Sequence, residues 1–152
     1  MADPLHSAEA IGLELKTRLS ACTVALGAET DAGARVYRGR RNISDELMPC
    51  AVLIEGNTPS GERRGGRSIE YTLAADYALH AYVPCDPDNP NVAAHAALRD
   101  LKRKVFVDST FGGTVKDVAF VSTDIAPRAD GAAFVLATLS ITVTFYERMA
   151  AP

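Results

Sequence analysis

Four residues near the middle of the chain are of the types that bind metal ions. His80, Cys85, Asp86 and Asp88 lie within nine positions of one another. Their spacing matches no zinc pattern such as paired Cys-x-x-Cys. The segment DPDNPN shares its first positions with a calcium-binding loop, but it lacks the glycine at the sixth position and the glutamate at the twelfth that such a loop needs. We therefore interpret it as a proline-containing turn before a helix and predict no metal site.

Residues that could act as nucleophiles or bases form no recognisable pattern. The sequence contains no Gly-x-Ser-x-Gly motif and no phosphate-binding glycine pattern. Cys50 adjoins the apolar run AVLI, which is typical of a small core residue. In an extended strand His80 and Asp76 would lie about 13 Å apart, too far for an acid–base pair. We expect a protein that is not an enzyme and binds no cofactor.

The charged residues are unevenly distributed along the chain. The net charge is −3, but segment 35–67 holds seven arginines and four acidic residues, a local charge of +3. The planar guanidinium group of arginine can pair with carboxylates or phosphates of a partner, although arginines in loops can also simply keep a surface solvated. The acidic remainder argues against a dedicated nucleic-acid-binding protein. Our candidate partner-binding residues are Arg38, Arg40, Arg41, Arg63, Arg64 and Arg67.

Two segments have the apolar spacing of amphipathic helices. The first is predicted to begin after Ser7, as N-cap, and to end at Gly27. Its apolar positions are Ile11, Leu15, Leu19, Cys22 and Leu26. The second begins near Asn91, which can cap it. Its apolar positions are Ala94, Leu98, Leu101 and Val105.

Two-residue alternation predicts the strands. Short strands are expected in 33–39, 50–56 and 115–122, and two very long ones in 67–84 and 132–148. The last has one apolar face and one lined with hydroxyl groups. A bulge at Ala74–Ala75 would instead divide the first long segment into two ordinary strands. The order of elements predicts an α+β fold, with a mostly antiparallel sheet, two long strands and two helices packed on one face.

The length of the chain fits one domain, residues 1–152. Segment 57–67 is rich in glycine, serine and charge and is predicted to be an exposed loop. Residues 1–7 and 148–152 are expected to be flexible. No apolar run is long enough for a membrane helix, the N-terminal residues do not resemble a secretory signal, and three widely spaced cysteines suit a reducing cytoplasm.

The succession of elements resembles that of the tail terminator proteins of long-tailed bacteriophages, the minor tail protein U-like group. The resemblance rests on the first helix followed by VYRGR, on PCAVLIEG, and on the turn and helix DPDNPNVAAHAALRDLKRKVF. Its most specific part is the step DSTFGGTVKDV, which precedes the long final strand. Together these features cover residues 8–147.

This resemblance implies a structural protein of the virion, located at the head-proximal end of the tail. Such proteins form a hexameric ring that stops polymerisation of the tail tube and offers an attachment surface to the head connector. The implied partners are copies of this chain, the tail tube protein and the head–tail connector protein. DNA would pass through the lumen without specific binding, assembly would occur in the host cytoplasm, and no membrane would be involved.

Two alternatives remain open at this point. The chain could be a tail tube subunit or a head–tail connector protein, which would be related parts of a virion. It could also be a small ligand-binding or enzymatic α+β domain with a site between sheet and helices. An apolar pocket with convergent polar groups and a perturbed pKa would favour that second alternative.

Overall fold

The computed structural model describes residues 8–64, 69–126 and 131–149, which contain two α-helices and six strands. The helices are α1 (Ala8–Ser20) and α2 (Asn91–Phe106). The strands are β1 (Val36–Arg38), β2 (Cys50–Glu55), β3 (Ser60–Arg64), β4 (Glu70–Pro84), β5 (Asp117–Ala126) and β6 (Phe134–Arg148). The α+β class and the mostly antiparallel sheet are confirmed. Ser7, the predicted N-cap of the first helix, and the predicted flexible segments, apart from Arg148 and Met149, lie outside the described residues.

The strands form one sheet in the order β1-β2-β4-β6-β5, and β3 pairs with β4 beyond the end of β2. Only the β1–β2 pair is parallel. β4 and β6 pair over fifteen residues without a register shift, from Glu70 opposite Arg148 to Pro84 opposite Phe134. The sequence alternative of a bulge at Ala74–Ala75 is therefore wrong.

The apolar core lies between the two helices and one face of the sheet. Leu53, Leu79 and Leu139 are register neighbours on three adjacent strands, and each is 0% exposed. Leu15 of α1 and Leu101 of α2 belong to the same buried cluster. Since burial of a leucine side chain contributes about 1.5–3 kcal/mol, this layer holds both helices to the long strands.

The first helix ends at Ser20, whereas the sequence predicts that it continues past Leu26 and ends at Gly27. The backbone of Gly33 packs directly against its last turn, and a Cβ atom there would lie 2.1 Å from the carbonyl oxygen of Leu19. The Gly33 N–H donates to the carbonyl of Cys22 over 2.8 Å. The chain therefore turns after Cys22, and Leu26 is 61% exposed instead of buried.

Part of the predicted loop 57–67 is a strand. Residues 60–64 form β3, whose register places Ser60 opposite Leu73 and Arg64 opposite Glu70 of β4. Apolar alternation could not reveal this strand, because its described side chains are exposed to solvent. It forms because β4 continues past β2 and its backbone groups need partners. The prediction of a loop is thus wrong for these residues, although residues 57–63 are exposed as expected.

We expect Leu79→Ala to lower the free energy of unfolding by about 2–5 kcal/mol, because it opens a cavity where the leucines of three strands meet. Urea unfolding followed by circular dichroism measures this change. The control is Leu26→Ala, which should change stability by no more than about 0.5 kcal/mol since Leu26 is largely exposed. An equal decrease in the free energy of unfolding in both variants would contradict this description of the core.

Candidate assembly surfaces

The residues that could do chemistry are separated and engaged in structural contacts. His80 Nδ1 lies 2.7 Å from Thr138 Oγ1, and Asp76 accepts a hydrogen bond from Thr142 Oγ1 over 2.8 Å. Burial lowers the pKa of His80, and the charge of Arg41 lowers it further. Within residues 8–64, 69–126 and 131–149, no group of three His, Cys, Asp or Glu side chains could hold a metal ion.

The cysteine thiols are poor nucleophiles in this fold. Burial raises the pKa of Cys22 to about 12 and also raises the pKa values of Cys50 and Cys85. The thiol of Cys85 lies within 3.6 Å of the carbonyl oxygen of Ala132. Since the thiolate is the reactive form, these environments disfavour nucleophilic attack.

The buried carboxylate of Asp100, which the sequence patterns did not single out, has a structural role. Asp100 is 1% exposed and lies on α2. Its oxygens accept hydrogen bonds from the backbone N–H of Glu29 (2.9 Å), the backbone N–H of Thr30 (2.8 Å) and the Thr30 hydroxyl (2.6 Å). The carboxylate therefore fixes the turn at residues 29–30 to α2, and its accepting capacity is used within the chain.

An open groove of about 590 Å³ lies between α2 and the end of β4. Its lining is largely apolar and includes Val83, Val92 and Ala93. The charged side chains among its lining residues, Glu29 and Asp31 for example, are exposed. The groove thus lacks the buried convergent polar groups that orient a small ligand.

Arg38, one of the predicted partner-binding residues, forms ion pairs inside the chain. Its Nη1 donates to Glu9 on α1 over 2.8 Å, and its Nε donates to Glu55 on β2 over 2.9 Å. Its Nη2 also contacts both carboxylates. The guanidinium therefore links the first helix to the sheet and lowers the pKa of Glu9 chiefly by hydrogen bonding.

Arg40 and Arg41 lie on the sheet face opposite the helices, which we call the outer face. The Arg40 guanidinium stacks over the Tyr37 ring, 4.5 Å from its centroid. Both arginines border a shallow depression with Tyr82 and Leu136. Neither forms an ion pair with an acidic residue in the described part of the chain. Their charges are thus accessible to a partner.

Arg63 and Arg64 lie in β3, far from Arg40 and Arg41 along the strand direction. Arg63 is exposed and has no ion pair with a described residue. The backbone of Arg64 pairs with Glu70 of β4. Arg67 lies outside the described residues. The five described arginines of the prediction therefore lie in three places: Arg38 between α1 and β2, Arg40 and Arg41 on the outer face, and Arg63 and Arg64 in β3.

The outer face is covered beside β2, where Cys50 and Val52 are buried, but it is only partly buried along β6. Along β6 it presents the half-exposed hydroxyl side chains Thr138, Ser140, Thr142 and Thr144. Both helices pack on the opposite face, where alternate residues of β4 and β6 are buried. Such a one-sided antiparallel sheet leaves a polar surface that water or a partner can contact.

β5 is an edge strand, and no described strand pairs with the side that faces away from β6. Seven of its ten residues, including Phe120 and Val121, are exposed. Phe120 and Val121 are 54% and 55% exposed, and the register with β6 shifts at Val121. We call this free side of residues 117–126 the β5 edge. The run VKDVAFVS gave no sign in sequence that it would lie at an edge.

Neither a protein-family model nor a curated protein matches this chain. In the described ranges, neither α-helix has the length and apolar character needed to cross a bilayer.

We expect the Arg38–Glu9 contact to give a pH-dependent part of the stability. Because the pKa of Glu9 is lowered from its ordinary value of 4.5, the stabilisation is complete above that value and is lost as the pH falls through the lowered pKa. Glu9→Gln should therefore destabilise the protein at pH 7 and have less effect at pH 3, measured by urea unfolding at low ionic strength. In an Arg38→Gln background the same substitution should have a clearly smaller effect, limited to the interaction of Glu9 with the N-terminus of α1; an undiminished effect there would contradict the assignment.

We expect Phe120→Thr and Val121→Thr together to weaken self-association about tenfold or more, because an interface at this edge would bury both side chains. Sedimentation velocity over a range of concentrations measures the association. Leu13→Gln is the matched control, since Leu13 is 52% exposed on α1 and far from β5. Unchanged association in the β5 variant, or an equal loss in the control, would exclude the β5 edge as an assembly surface.

Proposed function

We propose that this chain is a tail terminator of a long-tailed bacteriophage, which closes into a ring on the head-proximal end of the tail tube. The observation that carries this proposal is the β5 edge, with its unpaired backbone and its exposed Phe120 and Val121. An unpaired strand edge is a template for pairing with another chain. Exposed apolar side chains at that edge favour the same outcome, since association would remove them from water.

The two long strands, with both helices packed on one face, support the same proposal. β4 and β6 each have fifteen residues, about three times the usual strand length. The resemblance of DSTFGGTVKDV and of the element order to tail terminators is the reason for choosing this function among assembly proteins. The helices would keep each copy folded, while the outer face and the edges would remain available for contacts.

The mechanism is one of binding without a chemical reaction. A ring closed by rotation uses two different surfaces of each copy, so that every contact is heterologous. One face of the ring would complement the last ring of the tail tube, and the other would no longer offer a tube-like surface. Polymerisation would then stop, and the head connector would bind the exposed face. The arginines Arg40, Arg41 and Arg63 are candidates for contacts with acidic groups on these partners.

Deletion of this gene from its phage tests the proposal. We expect filled heads and separate, over-long tails, because the tube would lack the ring that stops its growth. Electron microscopy of lysates measures tail length and attachment, and a plasmid copy of the gene should restore joined tails of normal length. Normal tails attached to heads in the deletion strain would contradict the proposal, and the complete absence of tails would favour the alternative of a tube subunit.

A further inference from the structure

We propose that the β5 edge of one copy pairs with β3 of the next copy, so that the sheet continues from subunit to subunit around the ring. This inference rests on the proposed function, because it names the two surfaces through which the ring would close. It is carried by the positions of the free edges, by their exposed side chains and by their charges.

The two strands lie at opposite edges of a single sheet. β5 pairs only with β6, and β3 pairs only with β4, among the described strands. They lie on opposite sides of the β4–β6 pair, three strand intervals apart, which is about 14 Å. A contact between them must therefore join different copies. It is also heterologous, as a ring requires.

β3 offers a better partner edge than β1, the other strand on that side of the sheet. β1 has three residues, all of them partly buried, whereas β3 has five residues and is exposed at Gly61, Glu62 and Arg63. Gly61 lies so close to β4 that a Cβ atom would be 2.6 Å from the carbonyl oxygen of Thr72. The strand is thus held tightly to β4 on one side and free on the other.

β5 has some of the features by which proteins protect an edge from pairing, namely two aspartates and one register shift at Val121. Its ten residues include no proline and no lysine, which are common at protected edges. The shift leaves segments of four and five residues on its two sides, and the longer one matches β3 in length. β3 has a register shift of its own, between Ser60 and Arg63.

The side chains at the two edges are partly complementary in charge. β5 carries Asp117 and Asp124, both exposed and without an ion pair among the described residues, and the exposed Lys116 precedes it. β3 carries Arg63, which is likewise exposed and unpaired in the described part of the chain, beside the exposed Glu62, and Arg64 follows in sequence. Opposite charges across a contact favour the correct pair of surfaces and disfavour β5–β5 or β3–β3 contacts.

Site-directed crosslinking tests the inference. Glu62→Cys and Ser122→Cys place one thiol on each edge while leaving Phe120, Val121 and Arg63 unchanged, and Cys85→Ser removes the native thiol that is partly exposed. A bis-maleimide with a reach shorter than 14 Å is added to purified protein at raised concentration. We expect the protein with both introduced cysteines to give a ladder of covalent oligomers on a denaturing gel. Each protein with only one introduced cysteine should remain monomeric, because Cys22 and Cys50 are buried.

The outcomes separate this inference from the proposed function. Dimers from Ser122→Cys alone would show β5–β5 contact and overturn the inference. A protein that sediments as a ring but gives no ladder would also overturn it, while leaving the terminator proposal intact. A failed gene-deletion test together with a clear ladder would instead reject the phage function and keep the contact.

Charge exchange provides a second measurement that does not require cysteines. Asp117→Arg with Asp124→Arg should weaken association about tenfold or more, and so should Arg63→Glu with Arg64→Glu. Combining the four changes should restore most of the association, because opposite charges again face each other. Circular dichroism controls for folding. If the losses of association in the two double variants simply add in the combined variant, β3–β5 pairing is contradicted.

Discussion

β4 and β6 hydrogen-bond to each other over fifteen residues, and the other strands are arranged around this pair. Their inward side chains form the floor of the core on which α1 and α2 pack. Their length also creates the need for further strands, because β2 covers only part of β4 and β3 must complete it. The same long ladder places β5 at the opposite side, where its outer edge has no described partner.

Arg38 fixes α1 to the sheet, and the carboxylate of Asp100 fixes the turn at residues 29–30 to α2. Arg38 joins α1 to β2 through two exposed carboxylates, so its contribution is modest and sensitive to salt. Asp100 is buried and fully hydrogen-bonded, and its loss would leave backbone donors without partners. Both residues serve folding. The surfaces that remain for function are the outer face, the β5 edge and β3.

The sequence predicted what depends on periodicity and little of what depends on distant contacts. The apolar stripe of α2 and the alternation of β6 identify their buried residues, since a helix and a strand each present one face at a fixed period. The sequence pattern of residues 60–64 predicts a loop. These residues form a strand because they pair with β4. The role of Arg38 escaped prediction because Glu9 and Glu55 lie 29 and 17 positions away. The β5 edge escaped it because its apolar residues resemble those of an internal strand.

Electron microscopy of the purified protein at raised concentration tests whether copies assemble through their sheet edges. We expect closed rings with six-fold symmetry and a central opening. Particles that remain single subunits at every concentration, or open tubes of variable length, would contradict this expectation.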